Sequence, residues 1–225
     1  SCHASGPFTT LGLSAGVLQA VERLGFTEMS PIQAAAIPVI VAGHDVVGRS
    51  RTGSGKTVAF CIPAIERVDV RTPATQVLIL APTRELATQI TAEVRKLAAF
   101  TKDLRTFAIY GGAAYERQFA ELKRGTHIVV GTPGRLADHA ARGTLDLSGV
   151  RMLVLDEADR MLDMGFRDDI EKLLAAAPRE RQTVFFSATI SDAVGELVKG
   201  YSRDARTVAI EQAVGGAATV EQVYY

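Results

Sequence analysis

From Asp45 onward the chain repeats one unit: a short apolar run that ends in polar, cationic or glycine-rich residues, followed by an amphipathic stretch. The apolar runs are Asp45–Gly48, Val77–Ala81, Phe107–Tyr110, Ile128–Val130, Met152–Leu155, Thr183–Phe186 and Thr207–Ile210. Runs of this kind suit strands covered on both faces, as in a parallel sheet. Between them, segments such as Leu86–Phe100 place Leu86, Ile90, Val94 and Leu97 at helical spacing. Strand–helix alternation predicts an α/β fold, a parallel sheet with helices on both faces joined by right-handed crossovers. Upstream, Ser14 is expected to cap a helix with the apolar face Val17, Leu18, Val21 and Leu24, stopped by Gly25. A second helix is expected to open at Ser30-Pro31-Ile32-Gln33 and run to Val41. The pattern predicts one domain over 1–212; Gly215-Gly216-Ala217-Ala218 reads as a flexible linker within 213–225, and Val220–Tyr225 as the opening of a further unit.

The residues just past each run carry the functional signal. Val77–Ala81 leads to Pro82-Thr83-Arg84, Phe107–Tyr110 to Gly111-Gly112, and Ile128–Val130 to Gly131-Thr132-Pro133-Gly134-Arg135. Met152–Leu155 leads to Asp156-Glu157-Ala158-Asp159, and Phe186 to Ser187-Ala188-Thr189. In a parallel sheet all these loops share the edge where open α/β sheets bind ligands. Ser50-Arg51-Thr52-Gly53-Ser54-Gly55-Lys56-Thr57 matches the phosphate-loop template G-x-x-x-x-G-K-[ST] except at its first position, and lies between a strand and a helix. There Gly53 and Gly55 admit backbone N–H groups to a triphosphate, Lys56 reaches its β and γ oxygens, and Thr57 ligates magnesium. Asp156 would hold that Mg²⁺, partly through water, and Glu157 would orient or deprotonate the attacking water. Asp159 has two readings, a partner in the chemistry or an acid at a favourable helix start. Gln33 also has two: half of a capping box with Ser30, or a donor and acceptor for an adenine edge with Phe26 stacked on its face. Arg84 and Arg135 are read as phosphate-binding cations that open helices beside Thr and Pro.

The 25 basic and 25 acidic residues cancel, so any polyanion must meet a local patch. Cys2 and Cys61 form no metal spacing with the histidines, and Cys61, in an apolar stretch, reads as a buried free thiol. That suggests a reducing compartment. With no run of about 18 apolar residues and no signal-like start, a cytoplasmic protein without a membrane span is expected.

Together these residues resemble the amino-terminal RecA-like half (a P-loop NTPase domain) of a DEAD-box ATP-dependent RNA helicase, over the stretch from Phe8 to the chain end. Gly25–Gln33 resembles the Q motif, within a region spanning 8–33. The resemblance implies that Phe8, Phe26, Pro31, Gln33, Arg51, Thr52, Gly53, Ser54, Gly55, Lys56, Thr57 and Val58 bind ATP. It implies that Lys56, Asp156 and Glu157 are catalytic. Pro82, Thr83, Arg84, Gly111, Gly112, Thr132, Pro133, Gly134 and Arg135, with Gly165 and Phe166, would contact RNA through its sugar-phosphate backbone with little base specificity. Asp159, Ser187 and Thr189 would couple hydrolysis to strand separation. Ser50 stands where the family usually has Ala; both are small. The resemblance further implies a second RecA-like domain in the same protein that supplies an arginine finger. Two other readings remain: a nucleotide-dependent RNA clamp without turnover, and a DNA-directed superfamily 2 helicase.

Overall fold

A computed structural model describes residues 5–212 and 218–224. A 3₁₀ turn at Phe8–Leu11 precedes α1 (Ala15–Arg23) and α2 (Pro31–Val41). Next are β1 (Val46–Arg49), α3 (Lys56–Arg67), β2 (Val77–Leu80), α4 (Arg84–Leu97), β3 (Thr106–Ile109) and α5 (Tyr115–Lys123). Then come β4 (Ile128–Gly131), α6 (Pro133–Ala141), β5 (Met152–Leu155), α7 (Ala158–Asp163), α8 (Arg167–Ala176), β6 (Gln182–Ser187), α9 (Asp192–Tyr201), β7 (Arg206–Gln212) and β8 (Ala218–Tyr224).

The sheet order is β3-β4-β2-β5-β6-β1-β7-β8, with every neighbouring pair parallel except β7 and β8. Alternate strand residues feed two cores. Val46, Ile79, Val130, Val154 and Phe186 meet the apolar faces of α1, α2, α3 and α4, while Val47, Leu78, Val129, Leu153 and Phe185 meet α6, α7, α8 and α9. This two-sided burial is why the strands read as continuous apolar runs and not as alternating ones.

The expected strands all form, with ends shifted by a residue or so. Ser14 departs from its expected role: its Oγ donates to Glu66 Oε1 at 2.6 Å and its backbone N–H to the same carboxylate, which ties α1 to α3, and its side chain makes no cap bond. Cys61 is buried and free, as expected. Residues 213–217 of the expected linker lie outside the described residues. Ala218, the last residue of the expected linker, and most of Val220–Tyr225, read as the opening of a further unit, fall in β8, which pairs antiparallel with β7. No described helix is long and apolar enough to cross a membrane.

Candidate functional site

The phosphate loop turns from β1 into α3 with Gly53 and Gly55 at φ of 81° and 89°. A β-carbon at Gly55 would stand 2.7 Å from both Gln33 Nε2 and Ser30 Oγ, so conformation and contact each demand glycine there. The loop is braced from α2. Ser30 Oγ donates to the Ser54 carbonyl at 3.0 Å, and Gln33 Nε2 to the Gly55 carbonyl at 3.1 Å. Gln33 Oε1 accepts the Ser30 N–H at 2.9 Å, the capping-box bond. The capping-box reading of Gln33 is met by this bond, and one amide hydrogen and one lone pair of the side chain stay uncommitted. Ser50 Oγ contacts Ser54 Oγ, its N–H donates to the Ser187 carbonyl at 3.1 Å, and it is buried. Arg51, Thr52 and Gly53 are exposed, Thr57 is half-buried, and Val58 packs into the core, which leaves its backbone as the part that can face a ligand.

The carboxylates lie just past β5. Asp156 is 0% exposed, and its Oδ1 lies 2.9 Å from Lys56 Nζ. Glu157 is 3.9 Å from the same ammonium. Burial pushes the Asp156 carboxyl above its ordinary pKa, against the pull of Lys56. Among the described residues Asp156 Oδ2, which is buried, has no hydrogen-bond partner. An orphaned carboxylate oxygen beside the phosphate loop fits a hard divalent cation. No cluster of three or more His, Cys, Asp or Glu among the described residues could hold a metal. Magnesium, which keeps waters and shares phosphate oxygens, suits so sparse a donor set. Glu157 adopts φ 52° and ψ 50°, left-handed values that cost a non-glycine residue about 1–3 kcal/mol. Its carboxylate lies between two cations, 3.9 Å from Lys56 and 3.2 Å from Arg160.

Asp159, Ser187 and Thr189 are in contact. Asp159 Oδ2 accepts from the Thr189 N–H at 3.1 Å and its hydroxyl at 2.9 Å, while Ser187 Oγ accepts the Asp159 N–H and donates to the Thr189 carbonyl. Burial raises the Asp159 carboxyl, but the hydrogen bonds from Thr189, the Arg160 amide and Ser187 outweigh it and hold the pKa below the ordinary value.

The remaining loops line the same edge. Thr83 caps α4 by accepting the Leu86 N–H, which leaves Arg84 exposed with its guanidinium over the Tyr110 ring at 4.8 Å. Pro82 is buried beside it, and Gly111 and Gly112 are exposed. Thr132 and buried Pro133 open α6, and Gly134 faces Phe166 closely enough that a β-carbon would come within 3.9 Å of its ring. Gly165, at φ 84°, is exposed.

Two residues differ from expectation. Phe8 is 2% exposed within the core, so its ring has no face left for a base, whereas Phe26 is 36% exposed. Arg135 is turned inward: its Nη1 donates to the Ala113 carbonyl and to Gln118 Oε1, both at 3.0 Å. Gln118, which the motif pattern does not mark, is the hub there. Its Nε2 donates to the Tyr110 carbonyl, and its Oε1 also faces His139 Nε2 at 2.9 Å. Gln118 thereby joins the loops after β3 and β4 through side chains that carry no motif spacing. Burial, then the Arg135 charge, depresses the pKa of His139 below its ordinary value.

The sequence model of the DEAD/DEAH box helicase family matches residues 30–197. The DEAD-box ATP-dependent RNA helicase CshA of Geobacillus kaustophilus is 46% identical over 217 residues, which cover 96% of this chain and 46% of the relative. The ATP-dependent RNA helicase DeaD of Escherichia coli is 44% identical over 218 residues, 97% of this chain and 35% of its own length. A crystal structure of a DEAD box protein from the hyperthermophile Methanococcus jannaschii superposes with a TM-score of 0.87 at 42% identity, covering 90% of this chain and 55% of that one. The chain thus spans about half or less of the relatives it matches. With the phosphate loop, the paired carboxylates and the Asp159–Thr189 contact in place along one sheet edge, and the family match running through all of them, this chain belongs to the DEAD/DEAH box helicase family.

Proposed function

We propose that this chain is the ATP-binding, RNA-contacting part of an ATP-dependent RNA helicase. The observation that carries the reading is the Lys56–Asp156 contact beside the orphaned Asp156 oxygen, which sets the phosphate-loop cation and a metal-ready carboxylate one bond apart. Backbone N–H groups of Gly53 to Thr57 would receive the triphosphate at the start of α3. Lys56 would leave Asp156 for the β and γ oxygens, and Thr57 and Asp156 would hold Mg²⁺. Magnesium, when bound, neutralises charge that builds on the phosphates. Glu157 would orient the attacking water and accept its proton. Loss of the γ-phosphate would then be felt at Asp159 and its bonds to Thr189. A second RecA-like domain of the same protein would add an arginine finger.

Base selectivity is assigned to Gln33, through its uncommitted donor and acceptor, with the exposed face of Phe26. Gln33→Ala should weaken ADP binding by about 1–3 kcal/mol and narrow the gap between ADP and GDP. Calorimetry reads both; equal discrimination by mutant and parent would reduce Gln33 to a helix cap and loop brace.

RNA is assigned to the loops after β2, β3 and β4, by sugar and phosphate. Arg84→Ala should weaken binding and make the salt dependence shallower, by about 0.7 in the log–log slope for one lost single-strand contact. Arg135 faces the Ala113 carbonyl and Gln118. Arg135→Ala should therefore weaken RNA binding by loosening the loop while leaving the slope near that of the parent. A slope that drops for Arg135 and not for Arg84 would reverse the two roles.

The function is tested by ATPase measurements on the full-length protein with RNA, with DNA and with neither. Stimulation by RNA supports the reading. Absence of turnover would favour a nucleotide-dependent clamp, and stimulation by DNA alone a DNA-directed helicase.

A further inference from the structure

The outer margin of the sheet carries cations that neither the nucleotide site nor the loops account for. Among the described residues β3 is the terminal strand, paired with β4 alone. α4 and α5 flank it from opposite faces, α4 packing into one core layer and Leu122 of α5 against the other. Between them lies a cavity of about 160 Å³ whose upper wall is Tyr110 and Ala113, the residues on either side of Gly111 and Gly112.

On α4, Arg84, Thr88, Thr91 and Arg95 recur at helical spacing and share one face. The last three line the cavity, and Arg84 sits at its mouth over Tyr110. At 1.5 Å per residue, Arg84 and Arg95 are about 16 Å apart along the helix. From α5, Arg117 lies over the Phe107 ring, 5.9 Å from its centre. Arg84, Arg95 and Arg117 are all exposed. Among the described residues none of the three has a carboxylate partner, whereas Arg71, Arg124, Arg142, Arg160, Arg167 and Arg203 each do. Arg95 spends one N–H on the Thr106 carbonyl at 3.4 Å, which holds it beside β3. One arginine without a carboxylate is an ordinary solvated group. Three of them along one groove, with two aromatic rings between, form the combination that binds single strands: guanidinium groups for phosphates and π faces for bases.

We propose that this groove is a further single-stranded RNA subsite, which takes the strand outward from Gly111–Gly112 past the edge of β3, with Arg95 and Arg117 on its phosphates and a base against Phe107. The proposal rests on the reading that the loops after β2, β3 and β4 bind RNA. The unpaired edge of β3 could also receive an acidic peptide as an added strand. Continuity with the Gly111–Gly112 loop and the two rings favour RNA.

The test is fluorescence anisotropy of labelled oligouridylates of about 6 and about 12 nucleotides, lengths within the usual range of single-strand sites, titrated over a range of salt. The proteins are this chain, an Arg95→Gln/Arg117→Gln double variant, Phe107→Leu and Arg84→Ala. For the longer oligonucleotide the double variant should lose affinity, with a log–log slope shallower by about 1.4, or about 0.7 for each contact. Phe107→Leu should weaken the longer oligonucleotide without changing its slope. The shorter one should bind both as it binds the parent, and unchanged ADP binding checks that each variant is folded. An unchanged slope for the longer oligonucleotide overturns the proposal, and so does equal weakening at both lengths. Loss of polyglutamate binding with RNA unaffected also overturns it and makes the groove a peptide surface. If Arg84→Ala weakens the short oligonucleotide while the double variant changes nothing, the groove alone fails; if Arg84→Ala has no effect, the RNA reading of the loops fails first.

Discussion

Glu157→Gln should lower the rate of ATP hydrolysis by about 10²–10⁴, the usual worth of a positioned general base, while ATP still binds. Gln keeps the size and the left-handed backbone of residue 157 but cannot take a proton from water. Single-turnover hydrolysis in the full-length protein measures the first effect and equilibrium ATP binding the second. A variant that hydrolyses at the parental rate would move the base elsewhere; one that fails to bind ATP would show that Glu157 holds ligand. Glu157→Gly separates chemistry from strain. It should be equally slow, yet unfold at a higher temperature, because glycine adopts φ 52° without the steric cost.

Lys56→Ala should weaken every nucleoside triphosphate alike, because the lysine meets phosphate and not base. It should also destabilise the nucleotide-free protein by about 3–5 kcal/mol at neutral pH, since a fully buried carboxylate loses its 2.9 Å partner. The pH dependence has a definite sign. Asp156 already has a folded pKa above its ordinary value, and loss of Lys56 raises it further. A carboxyl with a raised folded pKa stabilises the fold below the unfolded pKa, and that stability is lost as pH rises through the folded value. The variant should therefore regain stability relative to the parent on acidification. Denaturant unfolding across a pH series is the measurement. A deficit that is flat with pH would mean that Asp156 is not the group left stranded, and unchanged ATP affinity would remove the assignment of the loop.

Most of the architecture was legible because burial on both faces leaves a strong trace: runs such as Met152–Leu155 have nowhere polar to point. The site was legible where chemistry imposes spacing, at Ser50–Thr57 and Asp156–Asp159. It was illegible where a contact depends on the tertiary path. Arg84, the first residue of α4, stays outside over Tyr110, and Arg135, the third residue of α6, folds inward onto Gln118; that difference in helical position is lost when both are read only as cations after a Thr and Pro pair. Gln118 and His139 acquire their partners across gaps of 17 and 21 residues, and no periodicity encodes such pairings. Ser14 had the right residue type for a cap, whose oxygen would accept a backbone N–H, but its hydroxyl is turned to donate to the Glu66 carboxylate on α3, a charge-assisted bond that no local pattern encodes. Phe8 was ambiguous because an aromatic near a ligand site and an aromatic in a core look the same in one dimension.

The strand order has a consequence for distance. β5, β6 and β1 are adjacent lanes of one sheet, each about 4.8 Å from the next, and they deliver, respectively, the carboxylates, the Ser187–Thr189 turn and the phosphate loop. The middle lane is bonded to both outer ones, through the Ser187 carbonyl to Ser50 on one side and through Thr189 to Asp159 on the other. On the coupling role proposed for Asp159, the loss of a phosphate would be relayed across one lane and not the whole domain. The weak point of such a relay is the middle strand: a one-residue change in the length of β6 would swap Phe185 and Phe186 between the two cores and disturb both neighbouring lanes together with the link.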